Sequence, residues 1–415
     1  MMANELTARL AAEIDKVPAI DIHSRVSADI PSAFNAADAI FHPEIKSALI
    51  SAGVSAKALD DDNSLEDRLN RALPHLEKIK NTSAHQLLAQ ILRDLYGIDD
   101  PDESATDNDS PAPTETLEKA NIEQIIGFAG WSRSVSEAED LPIAPGLRLD
   151  ALINEAHLPR TVDRLAEASG ESILEAADLR KAIRRLIENA ADSGCKALSA
   201  TFNPRVTFER GNRDAADRVL SLVTLGQKTN SEDIRTLRSF VLASVLEAAA
   251  ENELTFQIIL GGVQPVSGDR RLAAFEPELI RNYAPIFVEH SPVNFDIILA
   301  NAVQSHELAV FAGNYPNVYA SGYGSFVSNQ MHVTRMLRER IEMLPMNRSC
   351  ALFSEAPNVE WVYAKTKMIR RILTDVLVQM IEDGHISEDT ALNVAKHYLR
   401  DNAARLYFSP RTPRI

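Results

Sequence analysis

Short apolar runs recur along the chain, most of them followed by a stretch whose apolar positions repeat at helical spacing. The runs cover 19–23, 125–131, 147–153, 196–202, 255–260, 295–300, 318–323 and 350–355. They are nearly continuous in apolar residues, with little polar alternation. That is the pattern of strands covered by helices on one face and by a packed interior on the other. Eight such runs interleaved with helices predict an α/β protein of the (β/α)8 TIM-barrel kind. The join between the second and third runs, 132–146, carries no helical pattern.

The helices are sharper. Trp361, Ala364, Met368, Ile372, Val376 and Met380 recur on one face, and Gly384 follows where a left-handed residue ends many helices. Ser387 with Glu388 and Asp389 reads as an N-cap with an acidic first turn. Leu392, Ala395, Tyr398 and Leu399 then form a buried stripe. Between the first two runs the chain is far longer than one crossover needs. We read 27–121 as a helical insertion within a single unit spanning 1–415, with helices over 65–79 and 85–96. The acidic, proline-containing stretch 99–116 reads as a mobile surface loop. No internal repeat is apparent.

Composition narrows the function classes. Hydrophobic residues make up 45% and charged residues 25% of 415, as in ordinary globular proteins. No apolar run reaches the length that crosses a bilayer, and the N-terminus lacks the basic and apolar regions of a signal peptide, so no membrane role is expected. Cys195 and Cys350 are too few for a disulfide framework and suit reduced thiols in a cytoplasm. The net charge of −16, without a basic stripe, argues against nucleic-acid partners.

Candidate chemistry begins at Asp21-Ile22-His23-Ser24-Arg25, where the first strand ends. Alternate residues of a strand face one side, so Asp21, His23 and Arg25 share a face, and barrel enzymes keep their catalytic groups at the carboxyl ends of strands. Three further stretches carry a family resemblance: Ile40-Phe41-His42-Pro43-Glu44-Ile45, the segments Arg68 to Lys80 and Ala89 to Gly97, and Phe353-Ser354-Glu355 continuing through Val359 to Lys365 and on to Asn402-Ala403-Ala404-Arg405-Leu406-Tyr407. Together these resemble the uronate isomerase branch of the amidohydrolase superfamily over nearly the whole chain. The resemblance implies an amidohydrolase-like barrel and a reversible aldose–ketose isomerisation of a hexuronate such as glucuronate. It also implies a divalent metal that polarises the substrate oxygens, held by a first-strand His pair and a last-strand Asp.

The sequence departs from that pattern. His23 stands at the first ligand position, but Arg25 replaces the second His, and a guanidinium has no lone pair to give a metal. Glu355 stands in place of the Asp, Ile259 where many amidohydrolases carry a fifth-strand His, and Pro43 where a Tyr is expected. The candidate catalytic residues are therefore Asp21, His23 and Glu355, with Arg25 and His42 for substrate. No cofactor is expected, unless His23 and Glu355 retain zinc or manganese. Arg25 is expected to pair with the Glu355 carboxylate or with Asp21, or to hold a substrate carboxylate. The expected ligand is a small carboxylated sugar or a related acid. A homo-oligomer stays open, as do a hydrolase activity and an inactive homologue that binds a small acid or a partner protein.

Plainer roles stand beside each of these. Asp21 also suits a structural acceptor, His23 a satisfied core histidine, and Glu355 a charge near a helix N-terminus. His42 and His306 also suit surface positions. Ser321-Gly322-Tyr323-Gly324 suits turn geometry.

Overall fold

The computed structural model describes residues 2–26, 36–99, 111–131, 140–263, 272–273, 275–324 and 328–409. Seven parallel strands form one curled sheet: β1 (Ala19–Ser24), β2 (Ile122–Gly130), β3 (Ile143–Arg148), β4 (Ala197–Phe202), β5 (Thr255–Leu260), β6 (Phe295–Leu299) and β7 (Val318–Ala320). Their spatial order is their sequence order, as successive crossovers of one hand produce. A two-residue antiparallel pair, Gly262–Val263 with Leu272–Ala273, lies after β5.

Helices cover the outer face. Those used below are α1 (Met2–Lys16), α2 (Pro43–Ser51), α3 (Leu65–Leu76), α4 (Ser83–Ile91), α5 (Gln330–Met343), α6 (Val359–Glu382) and α7 (Glu388–Lys396). The predicted signals act as read. Ser387 caps α7 by accepting the Thr390 amide, and Gly384 takes φ 73° just beyond α6. Helix α3 and the short helix Glu77–Ile79 fill 65–79; α4 and the π-turn Leu92–Tyr96 fill most of 85–96. Of the stretch read as an acidic loop, 100–110 lie outside the described residues, and 113–116 open the helix Pro113–Lys119, with Pro113 at its first position.

Three expected strands come out differently. The run 318–323 is strand only to Ala320. The run 147–153 is strand only to Arg148; Asp150–Asn154 is helix. The Asp150 carboxylate accepts the Thr201 amide at 2.9 Å, taking the place of a ladder carbonyl and turning the chain outward. The run 350–355 is not a strand, so the described sheet is a seven-stranded half-barrel, where eight strands were expected. It lies between β7 and β1, with the Ile22 amide on Leu352 O (3.2 Å), the Glu355 amide on His23 O (2.9 Å) and the Ala320 amide on Arg348 O (3.2 Å). Its own amides are diverted: Cys350 donates to the Ser321 hydroxyl (3.1 Å) and Ala351 to Tyr398 O (2.7 Å). A ladder that loses two amides to a side chain and a helix end no longer has strand periodicity.

The core divides in two. One cluster joins β1, β2, the segment 350–353, the helices between β1 and β2, α6 and the residues after it. The other fills the space between β3–β7 and their covering helices.

Candidate active site at the carboxyl ends of the strands

His23 is buried at the end of β1, its ring sandwiched between Phe128 and Phe353 at centroid distances of 4.3 and 5.0 Å. Its Nδ1 lies 2.8 Å from Gln257 Oε1 on β5. The Gln257 amide is oriented by its other contacts. Its Nε2 donates to Ile22 O (2.9 Å), which can only accept, and to the Tyr407 hydroxyl (2.8 Å). Oε1 is therefore an acceptor, His23 carries its proton on Nδ1, and the lone pair sits on Nε2. Burial pushes the His23 pKa down to about 4; the Gln257 bond opposes this, and the nearby Arg148 and Arg25 charges add to it. The ring is neutral at physiological pH.

Beneath it the chain of contacts continues. Tyr407 donates to Asp296 Oδ2 at 2.5 Å, and Asp296 sits beside Gln257 in the β5–β6 register. Burial pushes Asp296 up to about 6. Tyr407 comes from the π-turn Ala404–Phe408, fixed to the amino end of β5 by Thr255 Oγ1 on Leu406 O (2.7 Å). Asn402 donates to Met346 O (2.8 Å) and Ser349 O (2.7 Å). The Asn-Ala-x-Arg-x-Tyr stretch thus closes the floor of the half-barrel and orients the histidine from below.

The other candidates separate. Asp21 is fully buried and accepts from the Ser354 amide (3.0 Å) and hydroxyl and from the His23 amide (3.3 Å), tying β1 to the segment 350–355. Burial raises its pKa to about 7. Arg25 is exposed, and its Nε and Nη2 meet the backbone carbonyl of Glu355, each at 3.4 Å. The expected pairing with the Glu355 carboxylate or with Asp21 is not what the geometry gives. Glu355 has φ 51°, a left-handed position that turns the chain as it leaves β1's neighbour. His42 stands apart from this group: its Nδ1 caps α2 by accepting the Glu44 amide (3.2 Å), and its ring stacks on Trp361 at 3.8 Å. From there Lys365, itself buried, reaches Glu44 (3.3 Å) and Ser354 O (2.9 Å), joining α2 and α6 to the segment 350–355. His306 is exposed near Glu339. Gly324 (φ 50°) packs so closely that a Cβ there would collide with the Leu299 carbonyl, so this turn serves close approach.

Sequence reading missed Arg148 and Asp150. They sit at the end of β3, with Arg148 Nε 3.2 Å from Asp150 Oδ2. Burial pushes Asp150 up, but the Arg148 charge and the Thr201 bonds outweigh it and hold the carboxylate below its ordinary value. The signal was present, an Arg-x-Asp at a strand end, but reading 147–153 as continuous strand hid it. Gln257 was missed because a glutamine in an apolar strand has no chemistry of its own.

Donor chemistry decides how well a divalent ion would fit here. His23 Nε2 offers one lone pair, Arg25 offers none, and burial, with a smaller contribution from two guanidinium charges, lowers the basicity of the ring. Among the described residues no three His, Cys, Asp or Glu side chains are grouped to hold a metal. This donor set fits a resident divalent ion poorly.

The fold and the site together define an α/β protein with His23, Arg148 and Asp150 at the carboxyl ends of strands of a curled parallel sheet. A family profile described as glucuronate isomerase matches residues 131–270. The uronate isomerase of Streptococcus uberis is 20% identical over 387 residues, covering 81% of each chain. That of Thermotoga maritima is 22% identical over 295 residues, 66% of this chain and 64% of the relative. Among solved structures, the T. maritima uronate isomerase superposes with a TM-score of 0.88 at 16% identity, covering 97% of each chain. The glucuronate isomerase of Caulobacter crescentus gives 0.86 at 17% identity, covering 99% of this chain and 95% of that one. The chain is uronate isomerase-like in sequence and in fold.

Proposed function

We propose that this protein isomerises a hexuronate between aldose and ketose forms at the mouth formed by His23, Arg25, Arg148, Asp150 and Glu355, without a resident metal. The observation that carries the reading is the neutral His23 ring, its Nδ1 fixed on Gln257 and its Nε2 left as a base beside two guanidinium groups. Arg148, held by Asp150, and the exposed Arg25 supply the charge that a sugar carboxylate requires. Burial is the main cause of the depressed His23 pKa, and a bound carboxylate offsets the smaller contribution of the two guanidinium charges. Nε2 then takes the C2 proton of the open-chain aldose to leave an enediolate, whose O1 oxyanion a guanidinium stabilises; the O2 hydroxyl proton passes to O1 through solvent, and Nε2 returns its proton to C1, leaving the carbonyl at C2.

The same reading takes 350–355 as the eighth strand position of a closed barrel, supported by its backbone hydrogen bonds to β1 and by that of Arg348, just before it, to β7. It takes 27–121 as an insertion within one unit. The protein is assigned to the cytoplasm, with both cysteines buried and free. Among the described residues no helix is long and apolar enough to cross a membrane.

The test is an isomerase assay on glucuronate and galacturonate, run after exhaustive chelation and again with added zinc or manganese. Turnover that survives chelation and falls by 10-fold or more in Arg148→Ala is expected. Turnover only with metal overturns the metal-free reading, and none under either condition overturns the activity itself.

A further inference from the structure

A cavity of about 400 Å3 lies where α4, α5 and α6 meet, and none of its lining residues belongs to the site described above. Beside His85, its polar wall holds Gln86, Gln90, Arg93, Gln330, Lys367 and Arg371. Every charged side chain in that wall is cationic, in a chain whose net charge is −16.

Most arginines elsewhere on the surface are neutralised: Arg9 by Glu388, Arg68 by Asp61, Arg281 by Glu307 and Arg400 by Glu123. Among the described residues no ion pair includes Lys367 or Arg371, and Arg93 meets Asp94 through Nε. The wall is braced. Arg371 Nη2 donates to Gln330 Oε1 at 2.5 Å, and Gln330 Nε2 donates to Gln86 Oε1 at 2.9 Å, so one chain of contacts crosses all three helices. Leu87, Ala89 and Met368 form an apolar floor.

We propose that this cavity binds a small phosphorylated molecule. The Arg371 guanidinium and the Lys367 ammonium match the charge and tetrahedral oxygens of a phosphate group, and Arg93, its charge offset by Asp94, adds only neutralised N–H donors. The carboxamides suit hydroxyl groups. The volume exceeds that of phosphate alone and falls within the range of small-molecule sites. Free phosphate and a phosphate ester share the chemistry that the cations recognise; the ester also reaches the carboxamides and the floor.

Isothermal titration of the full-length protein with inorganic phosphate and with glucose 6-phosphate, at matched ionic strength, tests this. The expected result is saturable binding of the ester, tighter than that of phosphate, weakened 10-fold or more in Lys367→Ala/Arg371→Ala and unchanged in Arg148→Ala. The single variant Arg371→Gln, at an exposed position, is the check against misfolding and is expected to weaken binding at least 3-fold. The proposal is overturned by no saturable binding of either probe, by equal binding in the double variant, or by loss in Arg148→Ala, which would place the anion in the mouth. Binding of phosphate as tight as the ester would reduce the ligand to the free ion and overturn the assignment to a phosphorylated metabolite.

Discussion

His23 and Gln257 form the contact on which the site turns: Nδ1 of one and Oε1 of the other stand 2.8 Å apart, and the glutamine is itself held by Ile22 and Tyr407. A side chain without titratable chemistry thereby decides which nitrogen of the imidazole carries the proton.

Replacing that acceptor with a charged one should change the titration of the ring. In Gln257→Glu a carboxylate faces Nδ1 and favours the imidazolium, so the His23 pKa is expected to rise from about 4 by one or more units. Proton NMR of the imidazole ring across pH 3 to 8 checks this. An unmoved titration would mean that burial alone sets the value.

Asp21 gives a stability prediction with a definite sign. Its folded pKa, about 7, lies above its ordinary 3.8, so the folded state binds the proton more tightly. The stabilisation is complete below about pH 3.8 and is lost as pH rises through 7. His23 runs the other way, with stability lost as pH falls from 6.5 through 4. Asp21→Asn removes the first contribution and keeps the second. Urea unfolding of the variant should show stability that rises more steeply with pH between 4 and 7 than in the parent, by up to about 1.4 kcal/mol per pH unit.

Tyr407→Phe deletes the hydroxyl that serves both Asp296 and Gln257. Two buried polar partners then lose a contact, at a cost of about 1–3 kcal/mol. A lower urea midpoint with unchanged m-value and far-UV circular dichroism is expected. A midpoint equal to the parent's would show that the floor contacts are dispensable.

Arg25→His with Glu355→Asp restores the residue types that the family resemblance associates with metal. Losing a guanidinium and gaining an imidazole lone pair beside His23 should give measurable zinc affinity, at least 10-fold above the parent by calorimetric titration. Equal affinities would mean that the left-handed turn at Glu355 keeps the carboxylate out of reach.

The strand-and-helix alternation was legible because buried parallel strands are nearly all apolar, and β1, β4, β5 and β6 fall where the runs placed them to within a residue. What failed were places where a side chain replaces a backbone partner: Asp150 ends β3, and Ser321 draws off the Cys350 amide. Periodicity carries no trace of such substitutions. At the site, His23 was legible by its position at a strand end. Its dependence on Gln257 and Tyr407 was not, because those residues are distant in sequence and ordinary in type. Arg25 was read for its charge, and the structure sets that charge against a carbonyl.

The floor made by Asn402 and Tyr407 also bears on how the molecule is made. On a ribosome His23 emerges early, while the residue that aims it through Gln257 is synthesised after every strand. Nascent chains stopped short of Asn402 would hold Gln257 by Ile22 alone, so full competence of the site should arrive only once the residues after α7 have been made.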